Sequence, residues 1–118
     1  MFLYFQFFMK ILFRVKDPIG NAVVLDKICL EKHILINHPI IRRYKDRIRE
    51  TIQEPDAIYK SKTDGKSLLY YKTLSIFPRR KYLMVVTSPY IVTDALYIKT
   101  SFLVYNFNKG DELLWKKN

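Results

Sequence analysis

Ile40-Ile-Arg-Arg-Tyr-Lys-Asp-Arg-Ile-Arg-Glu-Thr-Ile-Gln53 is the stretch that decides the fold. Its apolar side chains at positions 41, 44, 48 and 52 have the spacing of one face of an α-helix. Charged side chains, among them Arg42 and Arg43, lie on the opposite face. Glu54-Pro55-Asp56 ends this helix, and helical periodicity disappears after it. The stretch therefore predicts an amphipathic helix between an earlier helical region and a later strand-rich region.

The residues before this helix predict a β-hairpin and a first helix. Two strand-like runs flank a cluster of turn formers: Lys10–Lys16, Ala22–Leu25 and Asp17–Asn21. Asp26 is placed to cap a helix over roughly 27–36. Pro39 ends that helix, because the residue before a proline is pushed toward extended backbone. His38 is therefore expected on the connection between the two helices.

The second half of the chain predicts an antiparallel meander. Asp64-Gly65 lies between two apolar runs and is a strong hairpin signal. The predicted strands cover residues 57–62, 67–73, 81–87 and 96–104, and residues 113–115 are expected as a short terminal strand or as a cover on the sheet. We therefore expect an α+β fold with an N-terminal β-hairpin, two helices and then a mostly antiparallel sheet of four to five strands. Helices on one face of such a sheet leave the other face free for a ligand.

The length of 118 residues predicts one domain over 1–118, with residues 1–9 as a possible N-terminal extension. Met1–Met9 is apolar but is interrupted by Lys10, and no signal-peptide cleavage site follows. This argues against a leader and a membrane span, so no membrane partner is expected. Met9 is an alternative start, and the rival interpretation of residues 1–8 is an extension of the first strand.

Cysteine and histidine are scarce. Cys29 is the only cysteine, so no internal disulfide can form, which fits a reducing, cytoplasmic location. One cysteine and two histidines are too few ligands for a closed zinc site. No metal and no cofactor are therefore predicted.

Charge gives the first indication of function. The chain has 21 Lys and Arg against 11 Asp and Glu, a net charge of +10. Both halves are positive, so the excess is spread over the folded surface and does not lie in a tail. A field of this sign attracts RNA, DNA, an acidic protein or anionic lipid.

Several short motifs occur in a characteristic order along the chain. They are His33-Ile-Leu-Ile-Asn-His38-Pro39, Gln53-Glu54-Pro55-Asp56, Leu69-Tyr70-Tyr71-Lys72, Tyr82–Val86, Thr100-Ser101-Phe102, Lys109-Gly110 and Leu114-Trp115. This series resembles a phage-associated branch of the barnase, EndoU, colicin and RelE (BECR) nuclease superfamily, and the likeness runs from about Val23 to Lys117. The chain departs from the branch at Ile40, where an acidic residue is frequent, and at Phe102, where the branch has tyrosine.

The resemblance implies a metal-independent endoribonuclease or toxin-like nuclease. Such cleavage requires a base for the 2′-hydroxyl proton, an acid for the leaving oxygen and fixed cations for the developing charge. By resemblance His38 and His33 are the proton-transfer residues. Arg80 or Lys72 would hold the phosphate, and the Thr100 hydroxyl would position it.

Basic residues that alternate with aromatic rings predict contacts with single-stranded RNA, since cations hold phosphates and exposed rings stack on bases. The predicted RNA-binding residues are Lys60, Tyr71, Lys72, Lys81, Lys99, Arg42 and Arg43. The structural alternative is that the tyrosines pack in the core or at its rim and that the charged helix face is only solvated.

Alternation along Leu96–Val104 conflicts with the resemblance. It places Thr100 on the core side with Ile98, and Lys99 on the opposite side. Either the site lies on the face of Thr100, or a β-bulge changes the direction of that side chain. Two other functions stay open: a catalytically inactive RNA-binding module, and an interaction domain for an acidic antitoxin or immunity protein. The oligomeric state is left open.

Overall fold

A computed structural model describes residues 10–90, 93–108 and 110–118. Seven strands lie within them: β1 (Ile11–Lys16), β2 (Ala22–Asp26), β3 (Ala57–Lys60), β4 (Leu68–Ser75), β5 (Lys81–Pro89), β6 (Leu96–Val104) and β7 (Glu112–Lys116). They form one sheet in the order β1-β2-β6-β5-β4-β3-β7. The predicted α+β class and the N-terminal hairpin are confirmed, but the predicted count of four to five strands is wrong.

The count differs because the N-terminal hairpin joins the meander. β2 pairs with β6 in parallel through Val23 with Leu96 and Val24 with Tyr97, whereas the other neighbouring strands are antiparallel. A parallel pair requires a long connection, which the helices and strands β3 to β5 supply. Beyond Tyr97, the edge of β6 is bordered by the helical segments Cys29–Ile34 and Pro39–Tyr44.

Both predicted helices form, but part of the first is π-helical and part of the second is a 3-10 helix. The first comprises a π-helical segment, Cys29–Ile34, and a short α-helix, α1 (Leu35–Asn37); the second comprises a 3-10 segment, Pro39–Tyr44, and α2 (Lys45–Gln53). The Cys29 backbone N–H donates to Asp26 Oδ1 at 2.8 Å, which confirms the predicted cap. His38 has φ −135° and ψ 72°, so it lies on the connection as predicted.

The main core lies between the helices and one face of the sheet. The predicted stripe of the second helix is confirmed, because Ile41, Ile48 and Ile52 are fully buried and Tyr44 packs beside them. Leu83 and Val85 face this stripe from β5. Burial of each such side chain contributes about 1.5–3 kcal/mol to folding, so these contacts fix the helices against the sheet.

The opposite face of the sheet is partly closed by a second apolar cluster, which we call the far-face cluster: Leu69, Tyr71, Tyr82, Met84 and Val86. Phe107, from the segment after β6, lies across it, with ring centroids 4.6 Å from Tyr71 and 4.8 Å from Tyr82. The prediction that this face is left free for a ligand is therefore corrected: much of it is occupied by side chains of the chain itself.

The predictions for residues 1–9 lie outside the described residues, and β1 begins at Ile11. None of the helices in the described part of the chain is both long and apolar enough to cross a membrane.

Candidate functional site

A β-bulge in β6 places Thr100 and Ile98 on opposite faces of the sheet. Thr100 pairs with Val86 and Ile98 pairs with Thr87, so Lys99 is the extra residue between them. Ile98 is buried in the main core, whereas Val86, the partner of Thr100, belongs to the far-face cluster. Of the two alternatives left by the sequence, the bulge is therefore the one that the structure shows.

His38 lies beside this strand. Its imidazole stacks on the ring of Phe102, with centroids 5.0 Å apart and planes inclined by 26°. Phe102 pairs with Met84 and so shares the far face with Thr100. Side chains two residues apart along a strand are separated by about 7 Å. His38, Phe102 and Thr100 thus lie near one another on this face, and Lys99 precedes Thr100 on β6. We call these four residues the β6 site.

Lys99, the cation of the β6 site, is bound by residues of the turn that precedes β4. Lys99 Nζ donates to Ser67 Oγ at 2.7 Å and lies 3.5 Å from Asp64 Oδ2. The Ser67 hydroxyl in turn donates to Asp64 Oδ2, and the backbone N–H groups of Lys66 and Ser67 donate to Asp64 Oδ1. The Ser67 hydroxyl and these N–H groups, with a smaller contribution from Lys99, lower the pKa of the Asp64 carboxyl. Lys99 is thus fixed in place, and an ionised carboxylate offsets part of its charge.

His33 is exposed on the π-helical segment. No ring contact joins His33 to His38 in the described part of the chain. Nor does any group of three His, Cys, Asp or Glu side chains there have the proximity to hold a metal ion. His38 is therefore the imidazole that the stack on Phe102 places at the β6 site.

Arg80 also lies away from Thr100. Tyr82 pairs with Val104, so Arg80, which precedes Lys81 at the start of β5, lies beyond the end of β6. Thr100 and Val104 are four residues apart, about 13 Å along the strand. The prediction that Arg80 shares a site with Thr100 is corrected, and Lys99 is the cation next to Thr100 in sequence.

Two predicted RNA contacts, Lys72 and Tyr71, have partners within the protein. Lys72 Nζ donates to the carbonyl of Glu54 at 2.7 Å and lies 3.6 Å from Glu50 Oε1, which fixes it at the C-terminal end of α2. The Tyr71 ring is 1% exposed in the far-face cluster, and burial raises the pKa of its hydroxyl. The assignment of Tyr71 to base stacking is corrected, because its ring is buried. Lys72 stays a predicted RNA contact, although its Nζ already has two acceptors at the end of α2.

Exposed cations of the second helical segment remain available for phosphates. Arg42 and Arg43 follow His38 closely in the chain and are both exposed. Arg47 differs from them, since its Nε donates to Glu50 Oε2 at 2.9 Å. Lys60, the remaining predicted contact, is half-buried on β3 opposite Leu68. Sequence reasoning missed Phe102 as the support of His38, because a stacking partner so distant in sequence leaves no local pattern.

Comparisons with protein-family models, curated proteins and solved structures gave no match for this chain. The geometry of the β6 site and the surface charge therefore carry the functional argument.

Proposed function

We propose that this protein binds single-stranded RNA and cleaves it without a metal ion, as the resemblance to the BECR nucleases implies. The observation that carries the proposal is the stack of His38 on Phe102, beside Thr100 and Lys99. An imidazole can serve as the base of phosphodiester cleavage, and a cation with a hydroxyl can stabilise the charge that develops on the phosphate. The net charge of +10 supplies the attraction for a polyanion.

In the proposed reaction His38 accepts the proton of a ribose 2′-hydroxyl. The O2′ atom attacks phosphorus, the bond from phosphorus to the 5′-oxygen breaks, and the products are a 2′,3′-cyclic phosphate and a 5′-hydroxyl end. The leaving oxygen takes its proton from a water molecule, and the protonated His38 gives its proton to the hydroxide that remains, which restores the base. Lys99 and the Thr100 hydroxyl stabilise the charge on the phosphate oxygens.

Phe102 positions the base in this scheme. Its ring supports the imidazole over one face, which limits rotation of His38 and leaves its nitrogens at the ring edge. A phenylalanine supplies this support without a hydroxyl, so the departure from the tyrosine of the resembling branch is compatible with a positioning role.

The matched pair His38→Gln and His33→Gln tests the proposal. Both variants lose an imidazole, but only the first loses it from the β6 site. With excess EDTA and a fluorescent oligoribonucleotide, we expect cleavage by wild type and His33→Gln, a loss of at least a hundredfold in His38→Gln, and cyclic phosphate ends. Equal rates in the two variants would reject His38 as the base.

A second candidate function is RNA binding without cleavage. The observation that favours it is the ion pair of Lys99 with Asp64, which offsets part of the charge of the cation in the β6 site. This alternative predicts salt-sensitive binding and intact RNA after prolonged incubation with the wild-type protein.

A further inference from the structure

The tip of the β4–β5 hairpin exposes two large apolar side chains. Ile76 is 66% exposed and Phe77 is 87% exposed. Both follow the end of β4, where Ser75 pairs with Lys81. Their side chains contribute little to the core, and ordinary packing does not account for an aromatic ring in this position.

One of the cations beside them lies over a second ring. The Arg79 guanidinium lies 3.8 Å from the centroid of the Tyr105 ring, and Tyr105 is itself 45% exposed. Arg80 is exposed next to this pair. The tip therefore combines an exposed aromatic ring, a guanidinium over a tyrosine ring and a further cation.

We propose that this tip, residues 76–80 with Tyr105, is a subsite for an unpaired nucleotide of a single-stranded RNA. A base stacks on Phe77, and Arg79 and Arg80 hold the neighbouring phosphates. This inference rests on the proposed function and extends it. Tyr105 lies five residues beyond Thr100, about 16 Å along the chain, so the subsite binds a nucleotide outside the linkage that is cleaved.

Single-stranded RNA fits the tip better than the alternatives. Bases inside a duplex are already stacked on each other, so they offer no face to Phe77. Only Ile76 and Phe77 of this loop are placed to insert into a membrane. Two side chains are a weak anchor, because even a whole acyl chain gives only marginal binding to a bilayer. The arginines beside an exposed ring match the combination of backbone charge and base stacking that binds single strands.

The test uses Phe77→Ala and Phe77→Trp, with Ile36→Ala as the control. Ile36 is also strongly exposed, at 62%, but lies on the first helix. The probe is a fluorescein-labelled ten-nucleotide 2′-O-methyl oligouridylate, which cannot be cleaved because it lacks a free 2′-hydroxyl. We expect Phe77→Ala to weaken its binding about tenfold and the other two variants to bind like wild type. Circular dichroism melts establish that all variants are folded.

The outcomes separate this inference from the proposed function. Unchanged affinity of Phe77→Ala for the oligonucleotide, or an equal loss of affinity in Ile36→Ala, overturns the subsite. It is also overturned if Phe77 governs binding to phosphatidylserine vesicles but not to the oligonucleotide. A cleavable dinucleotide, too short to reach the tip, reports on the β6 site alone. If it is not cleaved while Phe77 still governs oligonucleotide binding, the subsite stands and the ribonuclease proposal fails.

Discussion

The Tyr70 hydroxyl donates a hydrogen bond of 2.6 Å to Asp17 Oδ2 and so joins β4 to the turn of the β1–β2 hairpin, 53 residues away. Asp17 is 5% exposed, and it also accepts bonds from the backbone N–H groups of Ile19 and Asn21 and from the Asn21 side chain. The carboxylate therefore orders its own turn and fastens that turn to the meander. Burial, together with the adjacent carboxylate, raises the pKa of the Tyr70 hydroxyl.

Tyr70→Phe should lower the free energy of unfolding by about 1.5–3 kcal/mol. The reason is that the buried Asp17 Oδ2 loses the hydrogen bond that the Tyr70 hydroxyl donates to it. Tyr71→Phe is the control on the same strand, since its hydroxyl only accepts a neutral bond of 3.3 Å from the Asn108 N–H. Urea titrations of the two variants measure the difference. Equal losses in both would mean that the bond to Asp17 contributes nothing specific.

The Asp17 contacts illustrate what the sequence could predict. Turn formers, a cap and an apolar stripe are local signals, so the hairpin at Asp17–Asn21, the cap at Asp26 and the buried face of the second helix were all predictable. The bond from Asp17 to Tyr70 was not, because a contact across 53 residues has no periodicity or spacing to reveal it.

The same limit applies to the sheet and the site. Two paired residues, Val23 with Leu96 and Val24 with Tyr97, are enough to merge the hairpin with the meander. One bulge residue, Lys99, reverses the direction that simple alternation assigns to Thr100. His38 was predictable as a residue on a connection, but its position on Phe102 was not. Long-range pairing and bulges are set by tertiary packing, which a single sequence does not encode locally.

Cys29 should make the protein less stable at alkaline pH. Burial, with a smaller contribution from Asp26, raises the pKa of its thiol from 9.0 to about 11, and Sγ donates to the Ile98 carbonyl at 3.0 Å. The native state therefore retains a proton that the unfolded chain releases, so stability is unaffected below pH 9 and falls between pH 9 and about 11. The loss amounts to at most about 2–3 kcal/mol.

Urea titrations across this pH range measure the effect, and Cys29→Ala is the comparison. The variant loses some stability at every pH because it leaves a small cavity, but the part of the slope that comes from the thiol should disappear. Tyr70, whose pKa is also raised, contributes to the slope that remains. Identical slopes in wild type and variant would show that the thiol does not titrate as described.

Lys72→Met should lower stability without weakening RNA binding. Lys72 is 13% exposed as a side chain and bonds to the carbonyl of Glu54 at the end of α2, so its removal costs about 1–2 kcal/mol. Because Nζ is occupied there, the affinity for single-stranded RNA should stay within twofold of wild type. Fluorescence anisotropy and thermal unfolding of one preparation measure both quantities. A large loss of affinity in the folded variant would show instead that Lys72 contacts RNA.

Arg43→Met should weaken RNA binding without lowering stability, and the salt dependence of binding identifies the cause. Arg43 is exposed shortly after His38, so its loss leaves the core intact. If it neutralises one phosphate, the slope of log K against log salt becomes shallower by about 0.7 for a single strand. Lys116→Met removes the same charge from exposed β7, which lies four strands from β6 in the sheet, about 19 Å away. Its slope should remain that of the wild-type protein. Equal changes in the two variants would mean that RNA responds only to net charge, and that the surface near His38 is not the place where the strand lies.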